Sequence, residues 1–166
     1  SLLAASQTVR EAGMKPLILG DSLEGESRDL GRMHAKTALQ IQKKGNPILP
    51  PAVILSGGET SVTVKGNGRG GPNTEFILSL LQELRGQDGI WAIACDTDGI
   101  DGTEDNAGAF ISPESFKKSE ELGLDPSSFL TNNDSYSFFQ KLGDLISPGP
   151  TMTNVNDFRA ILVLPL

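Results

Sequence analysis

The sequence has one cysteine, one histidine, one tryptophan and one tyrosine among its 166 residues. A single cysteine rules out an internal disulfide, which agrees with a reducing, cytoplasmic setting. A single histidine rules out a His-rich metal centre. It also leaves any Ser-His-Asp hydrolase with one candidate base, His34, far in sequence from Ser56. Cys95 closes an apolar run beside Asp96. The charge on Asp96 would raise the thiol pKa, so a cysteine nucleophile is disfavoured there. No stretch reaches the roughly 18 consecutive apolar residues that cross a bilayer, and the opening residues do not read as a signal peptide. Basic residues are in the minority, 14 against 21 acidic, for a net charge of −7. That sign argues against nucleic acid and anionic membrane as partners. It leaves room for an anionic small molecule, which a few local cations and backbone N–H groups can hold. The length suits one α/β domain over residues 1–166. The chain starts without Met and enters a helical pattern at once, so it reads as a fragment of a longer protein.

Hydrophobic spacing organises what is present. Residues 2–12 form a short helical pattern stopped by Gly13, and Leu30, Met33, Thr37, Ala38 and Ile41 mark an amphipathic helix over about 26–44. Apolar strands are expected at 15–20 and 52–56; with the helix between them they make a βαβ unit and a parallel pair. The alternation of 61–65 predicts a further strand. Phe76, Leu80, Leu81 and Leu84 predict a helix over 73–85 with Pro72 near its first turn. Residues 90–95 are a nearly unbroken apolar run, as in a central strand covered on both faces. Shorter elements follow: a strand at 109–111, helices near 113–122, 126–130 and 133–142, and a closing strand at 160–164. The expected fold is α/β, with a mixed, mainly parallel sheet and helices on both faces, a Rossmann-like sandwich.

Polar loops adjoin these strands, and the carboxyl edge of such strands is where open α/β sheets bind ligands. Gly57 and Gly58, followed by Glu59 and Thr60, let backbone approach a ligand or simply turn the chain. Gly66, Gly68, Gly70 and Gly71 lie just before a helix, where N–H groups and the helix dipole suit an anion, and Arg69 adds a planar cation. Asn73 and Glu75 stand at the helix entrance as ligands or caps. Gly66, Gly68 and Gly71 also satisfy G-x-G-x-x-G, which keeps NAD(P)H binding open. The segment from Asp96 to Asn106 carries Thr97, Asp98 and Asp101 in an acidic loop whose oxygens favour Mg²⁺ or Ca²⁺. Thr153, Asn154 and Asn156 precede the last strand and could orient a polar ligand or simply satisfy loop backbone, which taken alone is the better reading. His34 itself is expected to be a helix-packing or surface histidine, with no second His or Cys at ligand spacing.

Taken in order, Ser56 to Thr60, Gly66 to Glu75, Thr97 to Gly102 and Thr153 to Asp157 resemble the MOFRL family, over about residues 50–164. Such domains form the carboxy-terminal part of glycerate 2-kinases, some labelled hydroxypyruvate reductase. Two positions depart from the pattern: Pro72 where many members have Arg, and Met152 where Gly is common. The resemblance implies ATP-dependent phosphorylation of D-glycerate to 2-phosphoglycerate with Mg²⁺, in a cleft completed by an amino-terminal domain. Under it, Arg69 and the glycine-loop amides would face phosphate or carboxylate, and Asp98 and Asp101 would bind Mg²⁺ or orient the attacking hydroxyl. No G-x-x-x-x-G-K-[ST] is present, so this is not a P-loop enzyme. An NAD(P)-dependent hydroxypyruvate reductase and a non-catalytic ligand-binding module are the alternatives, and a homodimer is left open.

Overall fold

The computed structural model describes residues 2–166. Six helices and six strands alternate along the chain: α1 (Leu2–Glu11), β1 (Lys15–Gly20), α2 (Ser27–Lys44), β2 (Ala52–Gly58), α3 (Pro72–Leu84), β3 (Ile90–Asp96), β4 (Gly108–Ile111), α4 (Ser115–Glu121), α5 (Pro126–Thr131), α6 (Ser135–Leu142), β5 (Leu145–Ile146) and β6 (Asp157–Val163). The strands form one sheet in the order β1-β2-β6-β3-β4-β5.

The α/β expectation is met, and so is the β1-α2-β2 unit with its parallel pair. The mainly parallel sheet is not. β1 and β2 are the one parallel neighbour pair; the other pairs are antiparallel. Two physical reasons account for this. β6 runs between β2 and β3 in the opposite sense to both, separating strands that would otherwise be parallel neighbours. The link from β3 to β4 contains no helix, and a parallel crossover needs one or a comparably long connection.

The expected strand at 61–65 is also absent. Ser61 makes only an isolated bridge to Glu26. Beyond it the amides turn to side chains: Thr63 N donates to Glu26 Oε2 at 3.1 Å and Lys65 N to Asn133 Oδ1 at 2.7 Å. Donors spent on side chains cannot build a ladder.

Helices cover both faces, unequally. Phe76, Ile77, Leu80 and Leu81 of α3 are fully buried with Ala35, Ala38 and Ile41 of α2, Phe138 and Phe139 of α6, and Ile54 and Ile161 of the sheet. On the other face α1 places Val9, Leu2 and Ala5 against Val53, Leu55 and Leu162. Gly31 lets α2 lie directly on α3, since a Cβ there would overlap the Phe76 carbonyl oxygen. Because α3 is sealed between α2, the sheet and α6, its N-terminus is fixed in position. That N-terminus points at the edge where the polar loops gather.

Candidate active site

β1, β2 and β3 all end at one edge, and β6 and β4 begin there. Sheet direction alone therefore brings together the segments after Gly20, Gly58 and Asp96 and the segment before Asp157. A cavity of about 500 Å³ opens between the last three of these segments and the start of α3. Its carboxylates are Glu59, Asp96, Asp98 and Asp157, and its neutral polar groups are Thr60, Asn154 and Asn156. Pro72 and Ile100 add apolar wall. No lysine or arginine lines it among the described residues.

The acidic groups differ in their settings. Asp98 Oδ1 accepts from Ile100 N at 2.8 Å, and Asp98 N donates to Asp96 Oδ1 at 3.0 Å, so the loop holds itself in a turn. Burial pushes the Asp96 carboxyl above its ordinary range. Asp157 is shifted upward for the same reason, although Asn73 Nδ2 donates to its Oδ1 at 2.8 Å and Arg159 Nη2 to its Oδ2 at 2.9 Å.

Asp101 plays a different part from its neighbour Asp98. It is fully buried beneath the start of α3. Its Oδ1 accepts from Asn73 N at 2.8 Å and Asn73 Nδ2 at 3.2 Å; its Oδ2 accepts from Thr74 N at 2.8 Å and Thr74 Oγ1 at 2.9 Å. These bonds satisfy two amides that every helix start leaves without a partner. Burial raises the Asp101 pKa to about 6 against the pull of those donors. The expected metal-binding or catalytic role does not fit this geometry, because both oxygens already serve the helix. No group of three or more His, Cys, Asp or Glu side chains is arranged to hold a metal ion among the described residues.

The glycine loop requires a second correction. Its amides do not converge on an open anion site. Gly66 N donates to Asn133 Oδ1, Asn67 N to Asn132 Oδ1, Gly68 N to the Asn132 carbonyl and Arg69 N to Asp134 Oδ1, at 2.9–3.0 Å. Side chains at Gly68 or Gly70 would overlap Asp134 and Ser135, and one at Gly71 would overlap Asp101. These glycines are therefore explained by close packing on the turn between α5 and α6 and on the acidic loop. The G-x-G-x-x-G segment also lacks the dinucleotide-fingerprint setting, because no strand leads directly into it: β2 ends at Gly58 and residues 62–65 form no strand.

Arg69 also lies elsewhere than expected. Its Nη2 is 2.7 Å from Glu104 Oε2 and its Cζ sits 4.3 Å from the centre of the Tyr136 ring, whose hydroxyl donates to Asp105 Oδ1 at 2.7 Å. The guanidinium ties the glycine loop to the acidic loop and does not line the cavity. Glu75 is buried between Arg28 Nε at 2.8 Å and Asn133 Nδ2 at 3.2 Å, also away from the cavity.

Of the remaining candidates, Glu59, Thr60, Asp98, Asn154 and Asn156 meet at the cavity, with Asn73 beneath it. Gly57 and Gly58 press β2 against the segment after β1: Leu23 N donates to the Gly57 carbonyl at 3.1 Å, and Gly58 has φ 114° with no room for a Cβ beside Leu23. Thr97 Oγ1 donates to the Asn156 carbonyl at 2.9 Å and Thr153 Oγ1 to the Thr97 carbonyl at 3.2 Å, so both threonines stitch the rim. Met152, almost fully exposed, holds φ 58°, a left-handed conformation that suits glycine better.

His34 packs a helix, as expected, and also makes a contact that the sequence did not suggest. Nδ1 lies 2.8 Å from the Leu30 carbonyl and Nε2 2.8 Å from Ser56 Oγ, with the ring edge-on to Phe76. The carbonyl fixes the proton on Nδ1, so Nε2 accepts from the serine. Burial lowers its pKa to about 4. Ser56 is itself fully buried, so the pair is structural, with no route for a substrate. Asp96, Asp157 and Arg159 are polar groups at the site that no sequence motif marks as site residues. Period-two alternation from Asp157 could have found two of them, since it puts Asp157, Arg159, Ile161 and Val163 on one face.

The model of the MOFRL family matches residues 52–157, the segment that contains β2, α3, the acidic loop and the start of β6. The chain belongs to the MOFRL family. A D-glycerate 2-kinase of Thermotoga maritima is 41% identical over 160 residues, 96% of this chain and 38% of that protein. A glycerate 2-kinase of Pyrococcus horikoshii is 37% identical over 96% of this chain and 36% of its own length. A protein of Agrobacterium vitis provisionally named hydroxypyruvate reductase is 54% identical over 98% of this chain and 38% of its own. The crystal structure of the Thermotoga glycerate kinase superposes with a TM-score of 0.93 at 40% identity, covering 96% of this chain and 39% of that one. This MOFRL chain thus spans about two-fifths of the length of the relatives it matches.

Proposed function

We propose that this MOFRL chain is the carboxy-terminal part of a glycerate 2-kinase, which moves the γ-phosphoryl group of ATP to the 2-hydroxyl of D-glycerate. The observation that carries the reading is the acidic, hydroxyl- and amide-lined cavity at the sheet edge, in a chain whose relatives include glycerate 2-kinases. In that reaction the C2 oxygen forms a bond to the γ-phosphorus, the bond to the bridging oxygen of ADP breaks, and the hydroxyl proton leaves. Asp98 is the group proposed to take that proton, because it is a cavity carboxylate on a loop that Asp101 pins to the α3 terminus. Thr60, Asn154 and Asn156 would orient the hydroxy acid through its oxygens.

Mg²⁺ is compatible with this donor set in kind, since it takes hard oxygens and is commonly held by one or two carboxylates plus phosphate and water. Asp96 would hold it through the oxygen that the Asp98 amide leaves free, with Asp98 kept for the proton; the ion would offset charge on the phosphate oxygens. Asp101 is not proposed for that role. Among the described residues the cavity has no lining cation for phosphate or glycerate carboxylate, so the proposal places those groups in the part of the enzyme outside these residues, across an interdomain site.

The test supplies the complete protein with glycerate, ATP and Mg²⁺, and separately with hydroxypyruvate and NADH or NADPH. Release of ADP with formation of 2-phosphoglycerate supports the kinase. Nucleotide oxidation with no phosphoryl transfer would replace it with the reductase, and binding without turnover would favour a ligand-binding module.

A further inference from the structure

Arg159 is fully buried, yet one of its three nitrogens carries all of its hydrogen bonds. Nη2 donates to Asp157 Oδ2 at 2.9 Å and reaches Thr60 Oγ1 at 3.4 Å and the Gly58 carbonyl at 3.5 Å. Nε and Nη1 have no partner, and the guanidinium carbon stands 5.3 Å from the centre of the Phe76 ring. Taking a guanidinium out of water and leaving two of its donors unpaired is costly. A well-packed apolar residue at such a site is often neutral or stabilising by comparison. Stability therefore does not explain this arginine. Its location gives a better reason. The contacts of Nη2 join the end of β2, at Gly58 and Thr60, to the start of β6, at Asp157, and Thr60 and Asp157 both line the cavity. Asp157 in turn holds Asn73, whose amide also reaches Asp101, so the arginine continues into the polar chain under the α3 terminus.

We infer that Arg159 is a positioning residue that locks the two rims of the cavity together, fixing Thr60 and the Asp157 carboxylate toward the substrate. The activity arm of this inference rests on the kinase reading; the structural arm does not. Asp157 presents its carboxylate to the cavity with one oxygen on Asn73 and the other on Arg159, so its rotamer is set from behind. Removing the arginine frees that rotamer and loosens the 58–61 turn, while the core of α2 and α3 keeps its apolar contacts.

The experiment compares wild type, Arg159→Lys, Arg159→Met and the double variant Arg159→Met/Asp157→Asn in the complete protein. The double variant guards against simple unfolding, because it removes both buried charges together and should keep a Tm within a few degrees of wild type or above it. Hydrogen exchange at the amides of residues 58–61 and 157–158 is expected to speed up by about tenfold or more in both methionine variants, with α3 amides unchanged. With glycerate and ATP, kcat/KM is expected to fall at least about tenfold in both, with the lysine variant recovering part of the loss. Unchanged exchange in the rim overturns the inference whatever the substrate proves to be. Wild-type activity retained by a folded double variant overturns it as well. Failure of the wild-type protein to phosphorylate glycerate would instead count against the kinase reading, with the exchange result still deciding the role of Arg159.

Discussion

Replacing Asp101 with Ala should destabilise the fold by about 3–5 kcal/mol, a large effect for one residue of an acidic loop. The magnitude follows from what the carboxylate touches. Two buried amides, Asn73 N and Thr74 N, lose their acceptor, as do Thr74 Oγ1 and Asn73 Nδ2. A buried donor left unmade costs about 1–3 kcal/mol, and loss of an N-terminal cap about 1 kcal/mol. These contributions overlap, so the total stays near that of a broken buried network. The sign with pH can be worked out too. The folded pKa, about 6, lies above the ordinary 3.8, so the native state binds the extra proton between roughly pH 4 and 6. Wild-type stability from this group is therefore greatest below pH 4 and falls as pH rises through that window, by up to about 3 kcal/mol. The wild type and Asp101→Ala should thus differ more at pH 5 than at pH 8. Guanidinium unfolding followed by the fluorescence of Trp91, the chain's only tryptophan, measures both quantities. A loss below about 1 kcal/mol would refute the idea that Asp101 is spent on the helix, and a larger loss at pH 8 than at pH 5 would mean that the donors outweigh burial in setting its protonation.

Three further outcomes are expected. Arg69→Ala should lower kcat/KM of the complete protein less than about tenfold, because the guanidinium is committed to Glu104 and Tyr136 and does not line the cavity; a loss of 100-fold would return Arg69 to the phosphate. Gly71→Ala should destabilise by more than about 2 kcal/mol in the same unfolding assay, since the new methyl overlaps the backbone of Asp101, and a change within 0.5 kcal/mol would contradict the packing. His34→Gln should narrow its stability gap to wild type as pH falls from about 6.5 to 4. The folded pKa of about 4 lies below 6.5, so the contribution of the neutral imidazole is present above 6.5 and lost across that window; a gap independent of pH would mean that the ring is not neutral.

Much of the fold follows from periodicity. Long apolar stripes such as Phe76-Leu80-Leu84 and runs such as 90–95 fix type and extent because burial in one element repeats at its own period. The pairing order of the strands is a different kind of information. Nothing within 157–163 says that it lies antiparallel between β2 and β3, since register depends on partners some 60 and 100 residues away. The site shows the same division. The sequence points to the sheet edge where the cavity opens and to Asp98, Thr60, Asn154 and Asn156 in its lining, because polar loops at strand ends are local. It does not distinguish Asp98 from Asp101, three residues apart in one loop, of which one faces the cavity and the other caps a helix. It also suggests an anion cradle at Gly66–Gly71, where the glycines make room for Asn132, Asp134 and Ser135 from a turn more than 60 residues later.

The most direct test of the functional account is Asp98→Asn in the complete protein, assayed with glycerate, ATP and Mg²⁺ alongside a check of its fold. The account predicts a folded protein whose kcat/KM is lower by about 100-fold or more, as for loss of a proton acceptor at the reacting hydroxyl. A folded variant within threefold of wild type would contradict it and move the chemistry away from this cavity.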